Sequence, residues 1–551
     1  MKTDGAPGWT ALQNANFSER LRGKDPSLWS AEKAAQKSIR NSLGWVTVPE
    51  AMAAGLGTIR SFVSEVRSAG IHDAVVLGMG GSSLACEVFR SAFPAVPGMP
   101  RLHVLDTNSP GAAARLEREL DLARTLFIVS SKSGSTIEPN CLLAHFEKRV
   151  ERLPGPSGAR FCAITDPGTS LEKYARERNF RKVFLNPADI GGRYSALSYF
   201  GLVPAALMGV EIERLLDHAR RAMRQPEEGL RLGAALGDAA RAGRDKLSLS
   251  TSPKLAAFGL WVEQLVAEST GKQGRGILPV LETPPENDPG DRLFVRVALE
   301  ADADPEGKKR LSALLGSAPA PTRFLLSDPH ELGAQFFLWE AATAAAGYLL
   351  EVNPFDQPDV QSAKDRTNAL LGNLERGKLP ADKPSFQTAG MAAFADSELC
   401  GKLESAPDAT LDLGKVLQAH WGRLKAGDYG AVLAFLDPDA ENLGLLEQLR
   451  AALAQAGPAA VTLGIGPRYL HSTGQLHKGG NARGAFLLIN ETSPGRLEVP
   501  GKSFDFGTLQ QAQARGDYEA LRSAGRRVLR LDLDRTKDGL RALINAAGGK
   551  G

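Results

Sequence analysis

The chain has few cysteines, little net charge and no long hydrophobic run. The four cysteines are Cys86, Cys141, Cys162 and Cys400, and no two form a CxxC pair, which argues against a disulfide framework or a zinc site. The formal net charge is +3, and no basic tract with interleaved aromatic residues occurs, so we expect no nucleic-acid partner. No stretch reaches the ~18 uninterrupted apolar residues of a membrane span, and the N-terminal residues lack the apolar core of a signal peptide. We therefore expect a cytoplasmic protein with no membrane partner.

The length and composition of the chain are those of a globular protein with several domains. Its 551 residues are 43% hydrophobic and 23% charged. The segment up to about Gly70 has a helical pattern. Short apolar segments then alternate with amphipathic ones, which predicts a parallel sheet with helices on both faces. The predicted strands in this part are Ala74–Leu77, Leu102–Leu105, Leu126–Ser130, Phe161–Ile164 and Lys182–Leu185.

The same alternation continues through the second half of the chain. Residues from about Glu211 to Leu247 have a charged, helical pattern, and a second α/β unit is predicted to begin near Lys254. The segment 378–397, rich in proline and alanine, has the composition of a linker. The later predicted strands are Leu293–Leu299, Arg323–Leu326, Val432–Phe435, Val461–Leu463, Phe486–Ile489 and Val528–Leu531.

The turn after the first predicted strand has the residues of an anion site. The strand Ala74–Leu77 runs into the sequence GMGGSS, in which Gly81 and Ser82 precede a helix start. Glycines let a backbone approach a ligand closely, and the free N–H groups of a first helical turn favour an anion. Many α/β proteins have such a turn for packing alone, so this turn by itself leaves both interpretations open.

A second turn, Ser131–Thr136, strengthens the interpretation as a phosphate site. It offers four hydroxyl groups and Lys132 within six residues, directly before a helix start. Each charge-assisted hydrogen bond from such a group to a dianion contributes roughly 1.5–3 kcal/mol. Serines at this position also serve as helix N-caps, but one cap requires a single hydroxyl. Further along, Arg193 follows two glycines, where it is either a fixed cation or a surface arginine.

Five motifs, in this order, resemble those of the glucose-6-phosphate isomerase family. They are GMGGSS, SSKSGST, IGGRYS, ESTGKQG and NPFDQPDVQSAK, and they lie between about residues 70 and 370. The last is the most specific, because Phe-Asp-Gln followed by lysine at a fixed offset is a hallmark of that family. Residues 400–551, with PRYLHSTGQLHKGG, resemble the isomerase half of transaldolase–isomerase fusion proteins. The segment before Ala74 is shorter than the roughly 250 residues of a transaldolase barrel, so we expect the isomerase part standing alone.

The resemblance implies an α/β fold with two sugar-isomerase (SIS) domains. Each would be a doubly wound parallel sheet, and an additional α/β region would follow at the C-terminal end. The implied division is a helical segment at 1–70, a phosphate-binding SIS domain at 71–215, a second SIS domain at 216–380 and the C-terminal region at 400–551. The family requires no cofactor and no metal, and none is predicted here.

The resemblance also implies a role for each matching residue. Ser82, Ser131, Lys132, Ser133 and Thr136 would hold the phosphate of a hexose phosphate substrate, and Gly81 would let the backbone approach the sugar. Arg193 would stabilise the enediolate, Glu268 would move the proton between C1 and C2, Gln357 would hold the substrate, and Lys364 would assist ring opening. Such a reaction requires a carboxylate that acts first as a base and then as an acid, beside a cation.

The ring-opening histidine departs from the family pattern. The family has it between the catalytic glutamate and the Phe-Asp-Gln motif, where this chain has only His330. We interpret His330 as a structural residue at a helix start. A His-Ser-x-Gly-Gln sequence occurs instead at His471, to which we assign ring opening, with His477 as a second candidate.

The sequence therefore predicts an isomerase that interconverts glucose 6-phosphate and fructose 6-phosphate through a cis-enediol. Two alternatives stay open: a dual phosphoglucose/phosphomannose isomerase with the same residues, and a non-catalytic SIS regulator that binds sugar phosphates. Regulators of this kind lack the glutamate–lysine pair, which this chain has as Glu268 and Lys364. We expect a homodimer, although His471 in the same chain would allow an active monomer.

Overall fold

The computed structural model describes residues 5–281, 290–302, 304–313, 322–375, 377–388, 390–404 and 413–548. Within these ranges the chain forms two units. Unit 1 takes its residues from Met1–Asp106 and Leu120–Gln357, and unit 2 from Thr107–Glu119 and Pro358–Gly551. No helix in the described ranges is both long enough and apolar enough to cross a membrane.

Unit 1 begins with helices whose aromatic residues enter its core. These helices are α1 (Pro7–Asn14), α2 (Phe17–Arg22), α3 (Lys33–Arg40) and α4 (Val48–Ser68). Trp45, just before α4, is fully buried and stacks on Tyr194 with the ring centroids 5.4 Å apart. Since Tyr194 directly follows Arg193, this stacking fixes the backbone that carries a predicted site residue.

The first sheet of unit 1 has five parallel strands in the order β2-β1-β3-β4-β5. The strands are β1 (Asp73–Leu77), β2 (Arg101–Leu105), β3 (Thr125–Ser130), β4 (Phe161–Thr165) and β5 (Lys182–Leu185). The helices in this part of the chain are α5 (Leu84–Ala92), α6 (Pro110–Glu119, in unit 2), α7 (Ile137–Val150), α8 (Ser170–Glu177) and α9 (Tyr199–Leu207). All five strands predicted here are confirmed, because in each of these short segments apolar residues predominate, which is a local signal.

The second sheet of unit 1 is also parallel, in the order β7-β6-β8-β9. Its strands are β6 (Lys246–Thr251), β7 (Leu278–Leu281), β8 (Arg292–Leu299) and β9 (Thr322–Leu326). The helices here are α10 (Ile212–Arg224), α11 (Glu227–Arg241), α12 (Ala256–Thr270), α13 (Pro305–Ala313) and α14 (Leu332–Leu349). The prediction of a helical pattern from Glu211 to Leu247 is wrong at its C-terminal end, because β6 begins at Lys246. The strand β6 was missed because its sequence, KLSLST, contains two serines, although it is buried almost throughout.

Unit 2 contains a six-stranded sheet in the order β10-β11-β15-β14-β12-β13. The last four of these are parallel, whereas β10 and β11 are antiparallel additions at one side. The strands are β10 (Phe386–Thr388), β11 (Met391–Ala395), β12 (Tyr429–Phe435), β13 (Ala460–Ile465), β14 (Gly484–Glu491) and β15 (Arg527–Leu533). The helices are α15 (Gln361–Gly372), α16 (Ser397–Glu404), α17 (Leu413–Trp421), α18 (Ala440–Gln455), α19 (Gly474–Gly479), α20 (Phe506–Ser523) and α21 (Thr536–Ala546).

The linker predicted at 378–397 is wrong where β10 and β11 occur. The sequence of β11 is MAAFA, in which alanine is a weak strand former and no β-branched residue is present. The strand forms because Ala393 pairs with Leu531 of β15, more than a hundred residues away in the chain. Tertiary pairing therefore overrides local preference at this edge of the sheet.

The sheets confirm the predicted α/β class with parallel sheets and an additional C-terminal α/β region. The division into four parts at 1–70, 71–215, 216–380 and 400–551 stays a prediction. One short segment of the N-terminal half, Thr107–Glu119, packs within unit 2. There, Ser109 Oγ donates to Asp437 Oδ1 at 2.9 Å, and Arg115 forms an ion pair with the same carboxylate just after β12.

Candidate active site

The turns after β1 and β3 meet at the carboxyl edge of the first sheet. The two strands are parallel neighbours, with Leu77 opposite Val129. The hydroxyl of Ser130 donates a hydrogen bond to the backbone oxygen of Ser82 at 2.7 Å, which joins the two turns directly. Ligands of doubly wound sheets bind at this edge, so the predicted phosphate residues of both turns are well placed to act together.

In the turn Ser131–Thr136 the hydroxyl groups contact one another and do not cap the following helix. Ser131 Oγ donates to Thr136 Oγ1 at 3.4 Å, and the Oγ atoms of Ser133 and Ser135 are 3.0 Å apart. Thr136 is the N-cap residue of α7, but its side chain makes no capping hydrogen bond. Helix capping therefore does not account for these hydroxyls, and the N-terminus of α7 keeps its attraction for an anion.

Lys132 is held at this turn by Asp166. Its Nζ forms an ion pair with the Asp166 carboxylate and lies 3.5 Å from the backbone oxygen of Ala188. Burial raises the pKa of Asp166, and the neighbouring Lys132 opposes that rise. The positive charge of Lys132 would therefore be partly neutralised by Asp166 when a phosphate binds at the turn.

Gly81 is predicted to allow a sugar to come close to the backbone. In the structure, the backbone of Gly192 and Arg193 lies against Gly81. A Cβ atom on Gly81 would lie 2.2 Å from the carbonyl oxygen of Gly192 and 2.8 Å from the backbone nitrogen of Arg193. A side chain here would therefore separate the turn after β1 from the turn that carries Arg193. The approach of a sugar to Gly81 stays a prediction.

Arg193 is a buried cation whose guanidinium is bound on every nitrogen. Nε donates to Ser269 Oγ at 2.8 Å and Nη1 donates to Gln357 Oε1 at 2.9 Å. Nη2 donates to the carbonyl oxygens of Pro354 and Asp356 at 2.8 and 2.9 Å. With 4% of its side chain exposed, Arg193 is not a surface arginine. It is a cation fixed in place by the fold.

Glu268 lies in the last turn of α12 with its carboxylate towards Arg193. Its Oε1 is 3.4 Å from Arg193 Nη1, and its Oε2 accepts a hydrogen bond from Nε2 of Gln264 at 3.1 Å. Gln264 precedes Glu268 by one helical turn, so the helix itself aligns the two side chains. The Glu268 side chain keeps 12% of its surface exposed. A carboxylate that is oriented on both oxygens and still accessible has the geometry of a general base.

Sequence reasoning gave no role to Lys272, which ties two of the motifs together. Its Nζ donates to the carbonyl oxygens of Asn353 and Asp356 at 2.7 and 2.5 Å and to Asp356 Oδ1 at 2.8 Å. Burial, reinforced by the charge of Arg193, lowers the pKa of Lys272 to about 8. By fixing residues 353–356, Lys272 positions the carbonyl groups that Arg193 binds. The available signal was its place in ESTGKQG, directly after an apolar helix.

Three predicted residues belong to unit 2. Lys364 is exposed on α15, and His471 is the half-buried last residue of a 3₁₀ turn, Arg468–His471. His477 is buried in the core, where its ring stacks on Tyr429 and its Nδ1 lies 3.2 Å from the tyrosine hydroxyl. Burial lowers the pKa of His477 well below its usual value. Its ring is therefore neutral and held in an aromatic environment.

His330 lies in the 3₁₀ turn Pro329–Glu331 that precedes α14. Its Nδ1 is 2.6 Å from Asp328 Oδ1, which also accepts from the His330 backbone N–H at 2.8 Å. These contacts are those of a residue that stabilises a helix start. In the described parts of the chain, no three His, Cys, Asp or Glu side chains are grouped as metal ligands would be.

Comparison with known proteins connects this arrangement to one family. The family model described as phosphoglucose isomerase matches residues 27–273, which include Arg193 and Glu268. A glucose-6-phosphate isomerase of Thermus thermophilus is 32% identical over 413 residues, which cover 65% of this chain and 98% of that protein. The chain belongs to the phosphoglucose isomerase family.

A second relative bears the name glucose-6-phosphate isomerase, and one solved structure shares the fold. A glucose-6-phosphate isomerase of Rubrobacter xylanophilus is 30% identical over 363 residues, covering 56% of this chain and 84% of that protein. The crystal structure of a hypothetical protein from Thermus thermophilus superposes with a TM-score of 0.54 at 28% identity, covering 67% of this chain and 98% of that one. The predicted family resemblance is confirmed. The likeness of residues 400–551 to fusion proteins stays a prediction.

Proposed function

We propose that this member of the phosphoglucose isomerase family interconverts glucose 6-phosphate and fructose 6-phosphate. The observation that carries the proposal is the Glu268 carboxylate, 3.4 Å from the fixed guanidinium of Arg193. The two relatives described above bear the name of this activity. The substrate is accordingly a hexose phosphate.

Glu268 is the group that moves the proton. In the forward direction its carboxylate takes the proton from C2 of the open-chain sugar, and the carboxylic acid so formed returns a proton to C1. Between the two steps the substrate is a cis-enediol whose oxygens bear developing negative charge. Arg193 stabilises that charge with little reorganisation, because its position is already set by protein contacts.

The phosphate is held by the turn Ser131–Thr136 together with Ser82, and Gln357 holds the sugar. Binding energy gained at the phosphate, several bonds from C1 and C2, positions the reacting carbons and so contributes to the chemical step. His471 and Lys364 open the sugar ring, and neither a metal nor a cofactor takes part.

We further propose a homodimer and a cytoplasmic location, which is compatible with the four cysteines being thiols.

The activity is tested by following the conversion of fructose 6-phosphate to glucose 6-phosphate in a coupled assay. Glu268→Gln should lower kcat by about 10²–10⁴, the usual contribution of a general acid–base group. Glu351→Gln is the matched control, because Glu351 is an exposed glutamate paired with Arg275. Tight binding of fructose 6-phosphate without turnover would overturn the proposal in favour of a regulator, and turnover of mannose 6-phosphate would identify the dual isomerase.

A further inference from the structure

A second cleft lies at the carboxyl edge of the unit 2 sheet. The parallel strands β14 and β15 end side by side, with Asn490 opposite Asp532, and β11 places Ala392 on the other side of Asp532. With residues from 377–384 and 492–496 these strands enclose a cleft of about 770 Å³. That volume is typical of small-molecule sites. None of the residues proposed for the isomerase reaction lines it.

Arg530 is the central cation of this cleft. Its side chain is 1% exposed, and its Nη2 donates to Asp382 Oδ2 at 2.8 Å while Nε donates to Asp532 Oδ1 at 3.1 Å. The guanidinium lies 3.6 Å from the centroid of the Phe394 ring. Among the residues that the structure describes, none accepts a hydrogen bond from Nη1. A buried donor left without an acceptor is unfavourable, and an acceptor on a ligand in the cleft would relieve that cost.

Asn490 presents the complementary group. Its Nδ2 donates to Asp532 Oδ1 at 3.2 Å, which orients the amide because a carboxylate oxygen only accepts. The amide oxygen Oδ1 is buried and has no donor within the described part of the chain. Two side chains that line the cleft therefore have a buried group without a partner in the described ranges, a donor on Arg530 and an acceptor on Asn490, and both side chains contact the carboxylate of Asp532.

The lining has an excess of positive charge. The charged residues that line the cleft are Lys378, Arg496, Arg515 and Arg530 against Asp382, Asp505 and Asp532. Asp505 Oδ1 accepts from the backbone N–H of Thr508 at 2.7 Å and so caps α20. Because the negative charge of Asp505 already occupies that helix N-terminus, recognition of an anion rests with the arginine side chains.

We propose that this cleft binds a small polyol bearing a phosphate, at a site separate from the isomerase residues. The phosphate accepts hydrogen bonds from Nη1 of Arg530 and from Arg496, whose planar guanidinium groups suit a dianion. A hydroxyl group of the ligand donates to Oδ1 of Asn490. The site thus requires both parts of the ligand, the anion and the hydroxylated chain.

The test is calorimetric titration of the full chain with glycerol 3-phosphate. The background variant is Ser131→Ala with Thr136→Ala, which weakens the phosphate turn of unit 1 and so separates the two sites. Binding should persist in this background and weaken by about 10-fold or more when Arg496→Gln is added. Arg535→Gln, an exposed arginine outside the cleft lining, is the matched control and should bind as the background does.

The titrations distinguish binding in the unit 2 cleft from binding at the phosphate turn of unit 1. Loss of all binding in the background variant, or equal affinities for the Arg496→Gln and Arg535→Gln variants, would overturn the proposal. Inorganic phosphate binding as tightly as glycerol 3-phosphate would overturn the part that concerns the polyol. Arg530→Gln should abolish binding while turnover of fructose 6-phosphate is retained. If that variant does not fold, the comparison of the Arg496→Gln and Arg535→Gln variants tests the proposal, because Arg496 is exposed.

Discussion

All three guanidinium nitrogens of Arg193 are bound to acceptors of unit 1. Lysine at this position would keep the charge but could not reproduce a planar fork of donors. We expect Arg193→Lys to lower kcat by about 10²–10³, the usual effect of losing a preorganised donor at a developing oxyanion. Arg90→Lys, at an exposed arginine paired with Glu87, is the control. A kcat within tenfold of the unaltered protein would show that the charge alone suffices.

Glu340, in α14, is a buried carboxyl that the proposed mechanism does not use. It is fully buried, and within the described ranges neither of its side-chain oxygens has a hydrogen-bond partner. Burial raises the pKa of Glu340 well above the ordinary value of 4.5. Between these two pKa values the folded protein binds a proton that the unfolded chain releases. Stability therefore falls as the pH rises from about 4.5 to the folded-state pKa.

Glu340→Gln should remove this dependence. Relative to the unaltered protein, the free energy of unfolding of the variant should increase with pH by up to about 1.4 kcal/mol per pH unit across that window. Urea unfolding at a series of pH values measures the difference, and Glu351→Gln should show no such trend. Identical pH slopes for the Glu340→Gln and unaltered proteins would mean that the carboxyl is ionised in the fold.

At the residue scale, the sequence predicted the members of motifs better than their partners. Glu268 and Arg193 could be singled out because their motifs are specific, and the fold places them together. Lys272 could not be given a role, since its acceptors lie about 80 residues further along the chain. The burial of His477 was equally hidden, because β12 and β14 provide the aromatic rings around it.

At the scale of elements, the turn between β3 and α7 carries the phosphate proposal. Ser131→Ala with Thr136→Ala removes two hydroxyls without adding bulk. We expect the KM for fructose 6-phosphate and the inhibition constant of inorganic phosphate to rise together by about 10-fold or more. Ser64→Ala, at an exposed serine of α4, should change neither constant. Unchanged inhibition by phosphate would place the anion elsewhere.

The elements that the sequence predicted correctly are those with strong local patterns. The central strands β1, β3 and β4 of the first sheet are buried throughout and mostly apolar, as parallel strands covered on both faces require. β6 and β11 were missed because serine and alanine dominate them, and their pairing with distant strands decides their structure. Local pattern therefore located most of the parallel strands and failed at β6 and at the two antiparallel strands of unit 2, β10 and β11.

At the scale of the whole molecule, about a third of the chain lies outside its match to the Thermus thermophilus isomerase. Unit 2 contains His471, which lies outside residues 27–273 that match the family model. The proposed ring-opening role of His471 can operate within one chain or between the chains of a dimer.

Mixing two inactive variants distinguishes these possibilities. If His471 serves its own chain, a mixture of Glu268→Gln and His471→Ala proteins, unfolded together and refolded, should regain no activity. Recovery of about a quarter of the normal turnover, the statistical share of intact sites in a randomly mixed dimer that pairs groups from two chains, would show that the histidine is shared. The control is each variant refolded alone.

The central claim, proton transfer by Glu268 through an enediol, is tested most directly by converting fructose 6-phosphate in D₂O and locating deuterium in the product by NMR. We predict that glucose 6-phosphate formed by the unaltered protein carries solvent deuterium at C2, and that Glu268→Gln forms almost none of this product. Because a carboxylic acid shielded from water can return the same proton, the reaction is followed to equilibrium over many turnovers. No deuterium at C2 after those turnovers would indicate direct hydride transfer between the carbons, and it would contradict the account.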